Sequence, residues 1–131
     1  MAKKVLPLAR TMQYFRNEGI PCGKVERWQV VPGHPGGGVR IDLFSFVDAI
    51  ALFPDQLVGI QCCGASGVSS HIQKILGIPE AILWLRTGSG LHIHSWKKRA
   101  KPIGRSHWQL RWLVASLNDG QIAFEEMPLT V

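Results

Sequence analysis

The stretch that decides the fold reads Arg40-Ile41-Asp42-Leu43-Phe44-Ser45-Phe46-Val47-Asp48-Ala49-Ile50-Ala51-Leu52-Phe53, then Pro54-Asp55-Gln56, then Leu57-Val58-Gly59-Ile60-Gln61-Cys62-Cys63-Gly64. Residues 44–53 form a strongly apolar run with one charge, Asp48, and are expected to be a strand. Pro54-Asp55-Gln56 supplies turn chemistry, and residues 57–64 are expected to form a second buried strand, so that the two make a hairpin. A carboxylate in such a run is costly to bury unless it is paired or binds a cation. Gln61 and Cys63 share one strand face because strand side chains alternate with period two. The hairpin can therefore set Gln61 beside Asp48, and an amide oxygen with a carboxylate suits a hard divalent cation such as Mg²⁺.

Outward from the hairpin, residues 5–18 carry Val5, Leu8, Ala9, Met12 and Phe15 at helical spacing, with Pro7 tolerable in a first turn and Gly19 as a stop. Residues 24–31 alternate as a strand, and residues 32–38, Pro-Gly-His-Pro-Gly-Gly-Gly, are a loop. That loop lacks the Lys-Ser/Thr ending of a phosphate-binding P-loop. Downstream, residues 66–76 predict a helix and 79–86 a short apolar helix closed by Gly88-Ser89-Gly90. Residues 91–96 predict a strand, 108–117 another, and 121–124 a last short one. The expected class is α/β, a mixed central sheet flanked by helices. With 131 residues the chain fits one domain, its core over about 5–96 and a basic, β-rich extension over 97–131.

Hydrophobic residues make up 46% and charged residues 18%, which argues against disorder. No apolar run approaches the length of a membrane span, and Pro7 and Arg10 interrupt the only segment resembling a signal peptide. The three cysteines, Cys22, Cys62 and Cys63, do not form a secreted disulfide framework, so a reducing, cytoplasmic setting is expected. The net charge is +6, and its placement matters more than its sum. Between Glu80 and Asp119 there is no acid, whereas Arg86, Lys97, Lys98, Arg99, Lys101, Arg105 and Arg111 all fall there. Such a basic segment beside acids suits a polyanion partner with a cation site; the plainer alternative is a solvated basic surface.

The succession of helix, strand, residues 40–48 ending in Asp48, strand with Gly59-Ile60-Gln61-Cys62-Cys63, and helix resembles the PD-(D/E)XK nuclease superfamily. Small phage-type and archaeal Holliday-junction resolvase-like members look closest. The resemblance covers about residues 5–96 and implies a restriction-endonuclease-like αβββαβ core. It places Asp48 at the family's metal-binding Asp and Gln61 where an Asp or Glu stands. Cys63 falls where the catalytic Lys stands, and Lys74 on the following helix is a displaced replacement. Glu26 is the preferred upstream acid, over Glu18, and Asp42 is a further ligand candidate. The activity implied is Mg²⁺- or Mn²⁺-dependent hydrolysis of phosphodiester bonds in DNA, branched or single-stranded DNA included. Lys97, Lys98, Arg99, Lys101, Arg105 and Arg111 would hold the nucleic-acid backbone, and Trp96 or Trp108 would stack on unpaired bases. A homodimer and an intracellular, virus-encoded setting are also implied. Because Gln61 and Cys63 depart from the family pattern, the alternative is a catalytically inactive nucleic-acid-binding module on the same fold. A third reading is an interaction protein whose basic region meets a protein partner.

Two other constellations are weaker. His92 and His94 share a strand face as two zinc ligands would, but no third ligand follows at motif spacing. Cys63 with His71 would make a nucleophile pair, without a recognisable local signature. The cysteines read more simply as small buried hydrophobes.

Overall fold

In the computed structural model, residues 5–100 and 106–128 are described. Helix α1 (Pro7–Asn17) starts on Pro7, whose missing N–H is no loss in a first turn. It ends on Gly19 at φ 74°, where Gly19 N–H donates to Arg16 O at 3.2 Å and Ile20 N–H to Phe15 O at 2.9 Å. That pair of bonds is a Schellman stop, and only a residue at ease with positive φ completes it. The spacing of Leu8, Thr11 and Phe15 presents one face to the sheet.

A six-stranded mixed sheet follows, built from β1 (Cys22–Lys24), β4 (Ala49–Phe53), β5 (Gln56–Gly64), β6 (Gly90–Ala100), β7 (Ser106–Asn118) and β8 (Gln121–Met127) in that spatial order. β1, β4 and β5 run antiparallel, β5 and β6 parallel, and β6, β7 and β8 antiparallel. A parallel neighbour requires a crossover, which α2 (Val68–Leu76) and α3 (Pro79–Arg86) supply. Between β1 and β4 the chain leaves the sheet as a separate two-stranded arm, β2 (Arg27–Val30) with β3 (Gly38–Ile41).

The sheet is covered on both faces. Phe15 of α1 packs with Ala51, Val58, Ile60 and Cys62 on one face. On the other, Val68, Ile75 and Ala81 of the two later helices pack with Phe46, Cys63, Leu91, Ile93 and Leu113. β5 and the first half of β6 lie between these layers, so residues 58–63 and 91–95 are buried throughout, the polar Gln61, His92, His94 and Ser95 included. Trp84 docks α3: its Nε1 donates to Gly90 O at 2.6 Å and its ring lies against Gly59, where no side chain intervenes.

The structure departs from sequence expectation in the basic extension, whose β7 and β8 are part of the main sheet with Leu113 and Ala115 in its core, and at two places near Asp48. Residues 24–31 are not one strand but β1 and β2, parted at Val25 and Glu26, whose N–H groups both donate to Asp48 O at 2.9 and 3.2 Å. Residues 44–53 are not one strand either. Phe44 and Ser45 take left-handed backbone (φ 52° and 69°) in a tight turn closed by paired bonds between Leu43 and Val47, and strand structure begins only at Ala49. Apolarity marked this segment for contact with the core, and a turn buried by Phe46 and Val47 meets that demand as well as a strand does. No helix among the described residues is long and apolar enough to cross a membrane.

Candidate metal centre and basic cleft

Asp48 stands at the entrance to β4, held by its N–H donating to Ile60 O at 2.8 Å and its carbonyl accepting from Val25 and Glu26. These bonds bring Glu26 and Asp48 together. The turn through Phe44 and Ser45 folds Asp42 back on the same spot. One carboxylate oxygen from each of Glu26, Asp42 and Asp48 lies within 4.8 Å of the others, although the three come from different segments of the chain. Asp48 is buried, Glu26 and Asp42 half-buried.

One oxygen of Asp48, Oδ2, accepts two hydrogen bonds: from Gln61 Nε2 at 2.9 Å and from the Cys62 N–H at 2.8 Å. Gln61 is itself buried, and its other amide atom, Oε1, has no partner. Burial pushes the Asp48 carboxyl up to about 8; a hydrogen bond shared with Asp42 and the charges of Asp42 and Glu26 push the same way, against the Cys62 N–H. At neutral pH this cluster without a cation therefore holds Asp48 in its protonated form. Lys74 reaches in from α2, its Nζ 3.8 Å from Asp42 Oδ2.

Among sequence-derived candidates, Glu26, Asp42, Asp48, Gln61 and Lys74 converge. Cys63 is adjacent on the same face of β5. Its thiol is raised by burial and by Asp48, in part offset by Ser95, Arg111 and Lys74. A thiol held protonated is a poor nucleophile, which disfavours the Cys63–His71 pair. His71 nevertheless belongs to the site: burial and Lys74 lower its pKa, Asp42 opposes them, and its Nδ1 is buried without a partner. Its position one helical turn before Lys74 is the sequence signal that would have assigned it there.

The same sheet face carries a cleft of about 560 Å³ lined by Ser95, Lys97 and Arg99 of β6 and Gln109 and Arg111 of β7, with Ala65 at its helix-side wall. The register pairs Ser95 with Arg111 and Lys97 with Gln109, and Cys63 of β5 with Ser95. Carboxylates, Cys63 and cations thus follow one another across neighbouring strands. Arg111 Nε donates to Glu126 Oε1 at 2.7 Å, an exposed pair. By strand alternation Lys98 falls on the opposite face from Lys97 and Arg99, so the cleft receives only some of the basic segment. Lys101 and Arg105 lie outside the described residues.

His92 and His94 lie under α1, away from this site. Trp112 Nε1 donates to His92 Nδ1 at 2.9 Å, and Thr11 Oγ1 contacts His94 Nδ1 at 3.1 Å while accepting from Trp96 Nε1 at 2.9 Å. Burial lowers both imidazoles, to about 4 for His92 and about 3 for His94, which the charge of His92 lowers further. They are core histidines in an aromatic nest with Phe15 and Trp112, and among the described residues no third ligand joins them. Trp96 is committed to this nest, and Trp108 lies under the guanidinium of Arg10 at 3.7 Å.

The donor set of the acidic cluster suits a hard divalent cation. All its ligand atoms are oxygens, its carboxylates crowd each other enough to hold a proton, and a buried amide oxygen beside them is unsatisfied. No family model, no curated protein and no solved structure matches this chain.

Proposed function

We propose that this protein is a cation-dependent endonuclease that hydrolyses phosphodiester bonds in DNA, on the plan of the PD-(D/E)XK nucleases. The observation that carries the reading is the convergence of Glu26, Asp42 and Asp48 with the unpaired Gln61 oxygen and Lys74, next to a basic cleft on the same sheet face. Within the six-stranded sheet, with the β2–β3 arm set aside, the order α1, antiparallel β1, β4 and β5, then α2 and α3 and the parallel β6 supports it, with Asp48 entering the second of those strands and Gln61 within the third.

Glu26, Asp42, Asp48 and Gln61 would hold Mg²⁺ or Mn²⁺, which supplies a bound water of lowered pKa and polarises a phosphoryl oxygen. The chain's own residues do the rest. Lys97, Arg99 and Arg111 bind the phosphate backbone electrostatically. Lys74 puts an ammonium beside Asp42, where it offsets charge gathering on a phosphate at the cluster. His71, neutral at physiological pH, offers a proton acceptor on the same helix face. Asp48 would give up its proton on holding a cation.

The test is incubation with linear, flap and four-way-junction DNA in Mg²⁺, Mn²⁺ or chelator, alongside Asp48→Ala. Metal-dependent cleavage lost in the variant is the expected result; binding without cleavage in every metal refutes the reading. The second reading, a non-catalytic DNA-binding module, is favoured by one observation: a buried, protonated Cys63 stands where such nucleases keep a lysine.

A further inference from the structure

Four buried side-chain atoms among the described residues have no hydrogen-bond partner: Arg10 Nε, Gln61 Oε1, His71 Nδ1 and His94 Nε2. Gln61 and His71 belong to the carboxylate site, and His94 to the core beneath α1. Arg10 belongs to neither. Its guanidinium lies over the Trp108 ring at 3.7 Å, which engages one face of the ion and leaves its N–H fork to act in the plane. Beside it, between α1 and β6, opens a pocket of about 420 Å³ lined by Ala9, Arg10, Gln13, Tyr14 and Asn17 of the helix and Trp96 of the strand. This is the sheet face opposite the carboxylates and the basic cleft.

Helical spacing builds the pocket. Arg10 and Tyr14 stand one turn apart, as do Ala9, Gln13 and Asn17 on the adjoining row, and Ala9 is small enough to leave the space open. The Tyr14 and Trp96 rings meet edge to face at 6.4 Å and give it an aromatic wall. Arg16 Nη1 donates to Gln13 Oε1 at 2.8 Å and Gln13 Nε2 to Asn17 Oδ1 at 2.8 Å, which leaves the Asn17 amide N–H₂ as a donor at the rim. A pocket of donors around an aromatic wall takes a flat, acceptor-rich ligand. Charge gives the ligand its sign. Arg10 and Arg16 stand at the pocket, and Lys98, opposite Trp108 in the register, joins them by strand alternation. The acid in reach is Glu18, whose charge raises the Tyr14 phenol. Glu125 shares this sheet face but lies opposite Val114, about 20 Å along β7 from Trp108. The chain's own start, Met1-Ala2-Lys3-Lys4, is cationic and does not complement Arg10.

We propose that this pocket is a nucleotide site: the Arg10 fork holds the phosphate, and the base lies against Tyr14 and Trp96 with Asn17 at its edge. A guanidinium whose face is already stacked matches a phosphate in its own plane, and the ligand supplies the acceptor that Arg10 Nε lacks. The volume is that of an ordinary small-molecule pocket. The site is separate from the carboxylate cluster and does not depend on the nuclease reading. A free mononucleotide and one nucleotide of a DNA single strand offer the same chemistry.

The experiment uses the full chain without divalent cation, so that cleavage plays no part in the outcome. The Arg10 Nε–H resonance, identified by its loss in Arg10→Lys, is followed by NMR during titration with deoxyadenosine monophosphate, deoxyadenosine, inorganic phosphate and single-stranded oligodeoxyadenylate. The monophosphate is expected to shift it saturably, and about tenfold or more tightly than the nucleoside or phosphate alone. Calorimetry should show Arg10→Lys, which keeps the charge and loses the fork, weakened about tenfold, the worth of one charge-assisted hydrogen bond. Ala9→Leu, at an exposed helix position, should fill the pocket and abolish binding while the melting temperature stays near that of the wild type. At the Arg10 resonance, tighter binding of the oligonucleotide than of the monophosphate assigns the site to a DNA strand, and the reverse to a free nucleotide. An Arg10 resonance that the monophosphate does not move overturns the proposal. So does phosphate alone binding as tightly as the monophosphate, or Ala9→Leu binding like the wild type. A wild-type dimer in sedimentation that Ala9→Leu converts to monomer also overturns it, assigning the pocket to a second copy.

Discussion

Asp48 carries two opposed demands. Its Oδ2 is satisfied by Gln61 and Cys62, while its charged form is disfavoured by burial and by Asp42 and Glu26. An isosteric Asp48→Asn keeps an oxygen for the two donors and removes the proton that the acid must otherwise carry. We expect Asp48→Asn to abolish cleavage and yet raise the melting temperature of the metal-free protein above pH 8, as measured by calorimetry. Divalent cation added to the wild type at pH 7 should release protons, detectable in a weakly buffered titration, and should not do so in the variant. Gln61→Glu adds a fourth carboxylate to the cluster: cation affinity should rise by roughly tenfold or more, and stability without cation should fall.

At the scale of elements, two contacts hold helices to the sheet in ways single substitutions can probe. Gly59 lies under Trp84, where a Cβ would come within 2.8 Å of Cζ2. Gly59→Ala should therefore cost about 1–3 kcal/mol by overpacking, read as a lower urea midpoint. On the other face, the Thr11 hydroxyl serves both His94 and Trp96, each part of the aromatic nest beneath α1. Thr11→Val retains shape but strands both partners, and a loss of about 1–3 kcal/mol is expected. The helices and most strands were legible in the sequence: the 7–17 helix from its apolar spacing and Gly19, the α3 helix from Pro79 and Gly88, the β4–β5 hairpin from Pro54-Asp55. The β2–β3 arm was not. Residues 24–31 alternate evenly, and nothing in that alternation signals that Val25 and Glu26 turn away to bond with Asp48.

For the molecule as a whole, pH acts through two sets of buried groups with opposite signs. His92 and His94 have folded pKa values below the free imidazole's, so the unfolded chain binds more protons and stability is lost as pH falls from about 6.5 towards 3. Asp48 has a folded pKa above the unfolded one, so the folded chain binds the extra proton and stability is lost as pH rises from about 4 to about 8. The two windows overlap from about pH 4 to 6.5, where two imidazoles outweigh one carboxyl, so the wild type should be most stable near pH 6.5 in urea melts across pH 3–9. Asp48→Asn should remove the alkaline decline and leave the acid one. The charge distribution makes a separate prediction for DNA binding. Lys97→Ala and Arg99→Ala, which line the cleft, should each reduce the salt slope of binding by about 1, with little change for Lys98→Ala on the other face.

The sequence by itself determined the class of fold and the inventory of chemistry. Apolar runs too long to stay in water had to become buried elements, and a lone Asp48 among them required a partner. It marked Gln61 by its place in the hairpin and Lys74 by its place on the following helix, and the resemblance to the PD-(D/E)XK pattern added Glu26 and Asp42 as expectations. Only the tertiary structure decided that they meet, since their proximity depends on a left-handed turn at Phe44 and Ser45 and on backbone bonds from Val25 and Glu26 to Asp48. It also decided that His92, His94 and Trp96 belong to the core, and that Trp28 does not. Hydropathy records how strongly a side chain avoids water but not which face of which strand offers it shelter. That depends on contacts between residues distant in the chain.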